Sequence, residues 1–475
     1  MDEYLYQSLL LSVVAVALLQ LAKLALKKPG AAAPPLPPGP WKLPVVGSMH
    51  HLVNVLPHRA LRDLAAAHGP LMLLQLGQTP LVVASSREAA RAVLKTHDAN
   101  FATRPKLLAG EIVGYEWADI LFAPSGDYWR CGLRQLCAAE ILSPKRVLSF
   151  RHIREDEVMR KVEAIRAAGP SAPVNLSAMF HSITNSVVSR AAFGKKRENA
   201  AEFLAATMAV VGLSSGFNIP DLFPTCTTVL ARLTGMTRSL KEIHRTVDTI
   251  LQPPGDHRGA QAARDVKIES GAAAKDVDVL IGLQEKGGFS FHLTNSVIKA
   301  IILDMFAGRT GTSGSTMEWA DAEPGGDGEA EGADQEAFRG KAAVTEGDLQ
   351  ASNLRYMKLV IKEALRLHPP TPLLVPRETI EACELGGYTI PRRRGDFTSC
   401  NYKFLAFSSG CRMCPGFNYG LTSMELALVG LLYHFNLSLP EDVKKVDMEE
   451  APVLGIHRHT PLVLCATPYI PHVAT

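Results

Sequence analysis

Apolar and polar positions divide this chain into one long apolar run, a proline-rich stretch, and a series of short periodic segments. The run from Leu5 to Leu26 is interrupted only by Gln7, Ser8, Ser12, Gln20 and Lys23. About 20 apolar residues span a bilayer. Asp2 and Glu3 precede the run, and Lys23, Lys27 and Lys28 close it, so the body of the chain is expected on the cytosolic side. A cleaved signal peptide has the opposite charge order. Residues 1–28 are therefore expected to be an N-terminal transmembrane anchor. Residues 29–47 carry proline at a density that fixes φ and removes donors, which predicts a stiff hinge.

Shorter periods follow. Residues 58–68 have helical spacing. Residues 71–77 and 80–85 are apolar runs around a turn and predict a hairpin. Residues 86–97 return to helical spacing, 101–120 are irregular, and a helix starts near Tyr128. Residues 150–250 are helical in pattern, with a break at 212–224 that carries glycine and proline. Residues 252–278 predict a polar surface loop. Residues 296–320 are apolar at helical spacing through Val297, Ile298, Ile301, Ile302, Met305 and Phe306, then rich in small and hydroxyl residues that bend or open a helix. Residues 321–335 are acidic and glycine-rich with no apolar face, a composition that predicts disorder. Helical spacing resumes over 353–370, and 452–457 with 460–464 read as a final hairpin.

Composition narrows the class. The chain has 475 residues, 47% of them hydrophobic, enough for one large core. A net charge of +3 is too small to argue for nucleic acid. The eight cysteines lack framework spacing and read as reduced thiols.

The most informative chemistry is Phe407-Ser408-Ser409-Gly410-Cys411-Arg412-Met413-Cys414-Pro415-Gly416. A helical pattern follows at once, through Leu421, Met424, Leu426, Leu428, Val429 and Leu432. A thiolate at the mouth of a helix is held by backbone N–H groups and the helix dipole, and it is a soft anionic ligand for iron. Cys411 and Cys414 also form a Cys-x-x-Cys, but no second pair stands at zinc spacing and no thioredoxin-like context surrounds it.

The decapeptide fits Phe-x-x-Gly-x-Arg-x-Cys-x-Gly and so resembles the haem-binding loop of the cytochrome P450 family. The resemblance runs from the anchor to the final hairpin. It implies a mainly α fold with small β-sheets, the catalytic domain spanning residues 48–475. It implies haem b (iron protoporphyrin IX) with Cys414 as the axial iron ligand, and Phe407, Arg412 and Gly416 shaping the loop. Arg377, after Pro376, falls where the family places a propionate-binding arginine. Trp129 and Arg134 fall where it places a Trp and an Arg, usually one helical turn apart. Here they are five positions apart, and i, i+5 residues do not share an α-helical face. Either Arg130 substitutes, the helix begins after Gly132, or propionate binding is weakened.

Residues 307–320 resemble the family's distal helix, with Thr312 on the threonine that helps deliver protons. Gly311 stands at the acidic position. Arg309 stands at the usual glycine, where a bulky cation is expected to intrude on the haem side. Glu363 and Arg366 match the structural Glu-x-x-Arg. The segment that normally supplies their third partner is missing, because 391–397 leads almost directly to the cysteine loop. The acidic 321–335 stands where the family has its next helix. One choice of codons for 322–335, read one base later, gives an amphipathic helix, so a compensated frameshift in the gene or the gene model is a hypothesis that a transcript read across this region tests.

The resemblance implies a plant microsomal monooxygenase of specialised metabolism. It would insert one atom of O₂ into a small lipophilic terpenoid, phenolic or indole, with electrons from NADPH through a membrane-bound cytochrome P450 reductase. Its place is the endoplasmic reticulum membrane, with the domain in the cytosol. Two other readings stand beside it: a catalytically impaired relative, and a haem-binding sensor.

Overall fold

The computed structural model describes residues 35–170, 172–195, 199–251, 275–289, 291–322, 338–352, 355–392, 395–398, 405–451 and 457–469. The expected anchor, the start of the hinge, most of the loop at 252–278, most of the acidic segment and the tip of the final hairpin lie outside them. Among the described residues no helix is long and apolar enough to cross a membrane.

The chain is mainly α. The labelled helices are α1 (Pro57–His68), α2 (Arg151–Ala168), α3 (Leu176–Phe193), α4 (Ala200–Leu213), α5 (Met236–Leu251), α6 (Asn295–Ala322), α7 (Arg355–Leu367) and α8 (Phe417–His434). The central element is α6, which packs along α3 and touches α4, α7 and α8. Its hydroxyl-rich half does not open. Thr312 donates to the Gly308 carbonyl (2.6 Å) and Thr316 to the Thr312 carbonyl (2.9 Å). These bonds to the preceding turn satisfy the side chains while the helix runs unbroken to Ala322.

The strands are β1 (Leu71–Leu76), β2 (Thr79–Ala84), β3 (Pro173–Asn175), β4 (Arg377–Glu378), β5 (Cys383–Leu385), β6 (Tyr388–Ile390), β7 (Gly395–Thr398), β8 (Phe435–Ser438) and β9 (Val463–Pro468). They form sheets in the orders β1-β2-β7-β4, β3-β9-β8 and β5-β6. The expected hairpin is β1–β2, in register from Leu71 opposite Ala84 to Leu76 opposite Thr79. The last strand pairs with β8 and β3; most of the first arm of the expected closing hairpin lies outside the described residues, and an antiparallel bridge joins Glu450 to Arg458 beside it.

The described part of the hinge is docked. Pro38 accepts a hydrogen bond from Leu73 N (2.7 Å) and Pro35 one from Thr389 N (3.1 Å). A side chain at Gly39 would place its Cβ 1.9 Å from the Leu73 carbonyl oxygen, so only glycine lets this segment lie against β1.

The amphipathic stripe of α7 decides a second point. It buries Met357, Ile361, Ala364 and Leu365, which turns Glu363 and Arg366 outward. These two bond each other at 2.5 and 2.8 Å, but their side chains are 55% and 50% exposed. The buried charge cluster expected around them is not formed among the described residues. They make a surface ion pair instead.

Candidate haem-thiolate site

The cysteine loop is shaped by its own backbone. Cys414 N donates to the Phe407 carbonyl (2.9 Å), and Met413 N donates to that of Gly410 (3.0 Å). Phe407 meets Phe417 edge-on at 5.1 Å, which ties the start of the loop to the first residue of α8. Gly410 has φ +73°, and a Cβ there would sit 2.3 Å from the Asp98 carboxylate. The N–H groups of Gly416 and Phe417 bond the Cys414 sulfur. Burial pushes its thiol pKa up, and those N–H groups and the Arg134 charge pull the other way.

Arginines crowd the far side of the loop. Arg412 is buried, donates to the carbonyls of Ala102 (2.7 Å) and Ala123 (2.5 Å), and stacks on Trp129 at 3.6 Å. Burial, with Arg377 and Arg134 nearby, lowers its pKa to about 9. Trp129 donates through Nε1 to the Ile120 carbonyl (2.9 Å). Arg377 bridges to Asp98 (2.9 Å) and to the Ser409 carbonyl (2.9 Å).

The five-residue spacing resolves into a π-helical turn over Tyr128–Leu133, in which Arg134 N reaches back to the Trp129 carbonyl. The extra residue is absorbed as a wide turn. Arg134 therefore lies over the Trp129 ring at 5.5 Å and donates to the Met413 carbonyl at 2.7 Å, while Arg130 is exposed. Of the alternatives read from the spacing, Arg130 does not substitute, and the helix begins before Gly132, at Tyr128. Deleting the exposed Cys131 is expected to restore an α-helical turn with Trp129 and Arg134 still on one face. Thermal unfolding should then shift by no more than ~1 kcal/mol and haem content should stay at the parent level.

The distal calls separate. Thr312 is half-buried on α6, and Gly308 one turn before it is exposed, with nothing near the position of an added Cβ. Gly311 faces the Met208 side chain. Arg309 packs inward, and its charge still reaches the Cys414 sulfur. It is only 7% exposed and lies over the Tyr419 ring at 3.9 Å, between α6 and α8. The helices that carry Thr312 and follow the cysteine loop pack closely, and a Cβ on Gly420 would stand 3.7 Å from Ser313 Oγ.

Sequence reasoning missed four groups. Asp98 accepts from Cys411 N (2.6 Å) as well as from Arg377, and so fixes the loop to β4. Arg104 is buried and donates to the carbonyls of Leu121, Val375 and Pro376 (3.0, 2.7 and 2.8 Å). Neither has a local signal, because each meets partners distant in the chain. Asp304 was findable: it is a carboxylate inside the apolar run of α6, two turns before Thr312. It accepts from Ile120 N (2.7 Å) and Leu121 N (3.3 Å), close to Asp119.

Burial pushes Asp119 up to about 7, and burial together with Asp119 raises Asp304 further. The folded state thus keeps a proton that the unfolded chain has lost, and stability falls as pH rises from about 4 to about 7. D304N removes the titration and keeps an acceptor for both N–H groups. The loss of stability between pH 5 and pH 8, followed by thermal unfolding, is expected to be smaller in D304N than in the parent. Equal losses in both proteins would exclude this role.

The residues fit haem. Arg104, Arg134, Arg377 and Arg412 gather beside Cys414 with Asp98 and Asp119 as the carboxylates near them. This excess of guanidinium suits two propionates, and the sulfur with its N–H partners suits an iron ligand. The sequence model of the family described as Cytochrome P450 matches residues 37–393 and 392–465. The chain belongs to the cytochrome P450 family. It is 43% identical over 474 residues to premnaspirodiene oxygenase of Hyoscyamus muticus, spanning 92% of this chain and 93% of that one. It is 41% identical over 476 residues to 5-epiaristolochene 1,3-dihydroxylase of Nicotiana tabacum (92% and 93%), and 37% over 470 to germacrene A hydroxylase of Barnadesia spinosa (91% and 92%). Its fold matches a zebra fish cytochrome P450 with abiraterone at a TM-score of 0.68 and 19% identity, covering 87% of this chain and 100% of that one. These are plant oxygenases and hydroxylases on the sequence side, and this cytochrome P450 is a monooxygenase of that group. The two matched pieces meet at residues 392–393.

Proposed function

We propose that this cytochrome P450 inserts one oxygen atom from O₂ into a small terpenoid hydrocarbon, with NADPH-derived electrons from a separate reductase. The observation that carries the reading is the Cys414 loop, with its sulfur facing two N–H groups and its arginine cluster alongside. The names of the three relatives support the terpenoid class over phenolics and indoles. When bound, haem supplies O₂ activation, and a thiolate ligand favours O–O cleavage. The chain's own part is to hold the sulfur through Gly416 and Phe417, to bind propionates through Arg412, Arg377, Arg134 and Trp129, and to present the Thr312 hydroxyl for proton delivery. That hydroxyl now donates to the Gly308 carbonyl, so it has to turn away from its helix to serve.

The endoplasmic reticulum membrane, with the domain in the cytosol, is the proposed location. Trp41, Val53, Val229 and Leu233 are 63%, 62%, 59% and 78% exposed. The segments that carry them converge on the β1–β2 turn, where Gly77 N donates to Val46 O (3.1 Å) and Gln78 N to Leu222 O (2.8 Å). Such an apolar surface beside residue 35 supports a membrane-facing side.

A second reading, a catalytically impaired relative, is favoured by the exposed Glu363–Arg366 pair and by the two matched pieces that abut before the cysteine loop. One experiment separates them. The full chain is co-expressed with a plant NADPH–cytochrome P450 reductase, and microsomes receive premnaspirodiene, 5-epiaristolochene or germacrene A under ¹⁸O₂. A thiolate-type reduced CO spectrum and a product carrying one ¹⁸O are expected. That spectrum without turnover supports a haem-binding sensor, and no haem uptake supports the impaired copy.

A further inference from the structure

Arg309 poses a charge problem that the oxygenase reading does not use. Its guanidinium is almost wholly buried, and Nε, Nη1 and Nη2 all lack a hydrogen-bond partner. It lines a small cavity between α2, α3, α6 and α8, together with Arg154, Tyr419, Thr184, Ser313 and Ser423. The Arg154 guanidinium and the Tyr419 hydroxyl there bond each other and have no further partner on Nη1 or the hydroxyl. No carboxylate lines the walls. The acids that feel these charges are shared: Glu346 pairs with Arg154, and Asp276 pairs with Arg146 at 3.0 Å while also feeling the Arg309 charge. Three guanidinium groups thus face two carboxylates. Stacking on Tyr419 offsets only part of the cost of an unpaired buried cation.

We propose that this cavity binds one chloride ion, held by Arg309, Arg154 and Tyr419. The donor set selects the occupant. Guanidinium nitrogens only donate, and burial keeps the Tyr419 phenol protonated, so the three unpartnered nitrogens of Arg309 line the cavity with only donors of Arg154 and Tyr419 beside them. A water molecule accepts two hydrogen bonds and brings no charge. An anion accepts all of them and balances Arg309. Size excludes phosphate and sulfate: the cavity is small and has room for a single monatomic occupant. The ion would pin α6 to α2 and α8 beside the cysteine loop, a structural anion site created by the arginine at position 309.

Two measurements on the haem-loaded full chain in detergent test this. Crystals grown in sodium bromide should show one anomalous peak between Arg309, Arg154 and Tyr419. The thermal midpoint should rise saturably with chloride or bromide relative to sodium gluconate at equal ionic strength, and R309M should lose that difference. An ordered water without anomalous signal, an empty cavity, or a halide response kept in R309M would each overturn the proposal. The crystallographic arm stands on the parent protein, so a poorly folding R309M leaves it decisive.

Discussion

Replacing Cys414 with alanine is expected to abolish the thiolate-type reduced CO spectrum and to lower oxygenation at least about 10³-fold, while the far-ultraviolet circular dichroism stays that of the parent. The loop keeps its shape without the sulfur, because what holds it is backbone and neighbours. Cys414 N bonds the Phe407 carbonyl, Cys411 N bonds Asp98, and Arg377 bonds the Ser409 carbonyl. What is lost is the one soft anionic ligand in place for iron. Cys411 cannot substitute. It sits on the other side of the turn against Asp98, which with burial holds its thiol pKa above the usual range. C411A should therefore keep the parent spectrum and turnover. C414S offers a hard oxygen and should also lose the thiolate band. A thiolate band retained in C414A would mean that another sulfur binds the iron, and the assignment of Cys414 would be wrong.

What the sequence revealed, and what it concealed, follows the range of the interactions. The hairpin β1–β2, α7 and the cysteine loop were legible because periodicity and a local motif encode them. The proline-rich stretch read as a stiff hinge, and composition says nothing of what it docks on; the contact that decides it pairs Pro38 with Leu73. Spacing misled at Trp129 and Arg134 because an ideal α-helix was assumed, and one π-helical turn restores the shared face. Sequence did not show what Arg309 packs on. Position on the helix places it next to Thr312, but only the packing of α6 on α8 shows that it turns toward Tyr419. Charge pairs are the hardest case. The motif draws attention to Glu363 and Arg366, three residues apart and exposed, whereas the fold buries a pair that is 192 residues apart.

That pair, Arg154 with Glu346, carries the second large prediction. Both side chains are 1% exposed. Arg154 bonds Glu346 through Nε and through Nη2 (2.9 Å), and Nη2 also donates to the Val147 carbonyl (2.8 Å). Glu346 opens the short helix Glu346–Ala351, with a capping box between Thr345 and Asp348 in front of it. The pair therefore fastens α2 to the segment that enters α7. R154M leaves Glu346 buried without a partner and is expected to cost about 3–5 kcal/mol in reversible or kinetic unfolding measurements. E346M, which strands Arg154, should cost a similar amount. The double variant R154M/E346M removes both desolvation penalties and restores apolar packing, so it should recover most of the loss and approach the parent. Additive losses in the double variant would show that the two charges act independently, and the assignment of this contact as the ion pair joining α2 to the entry of α7 would fall.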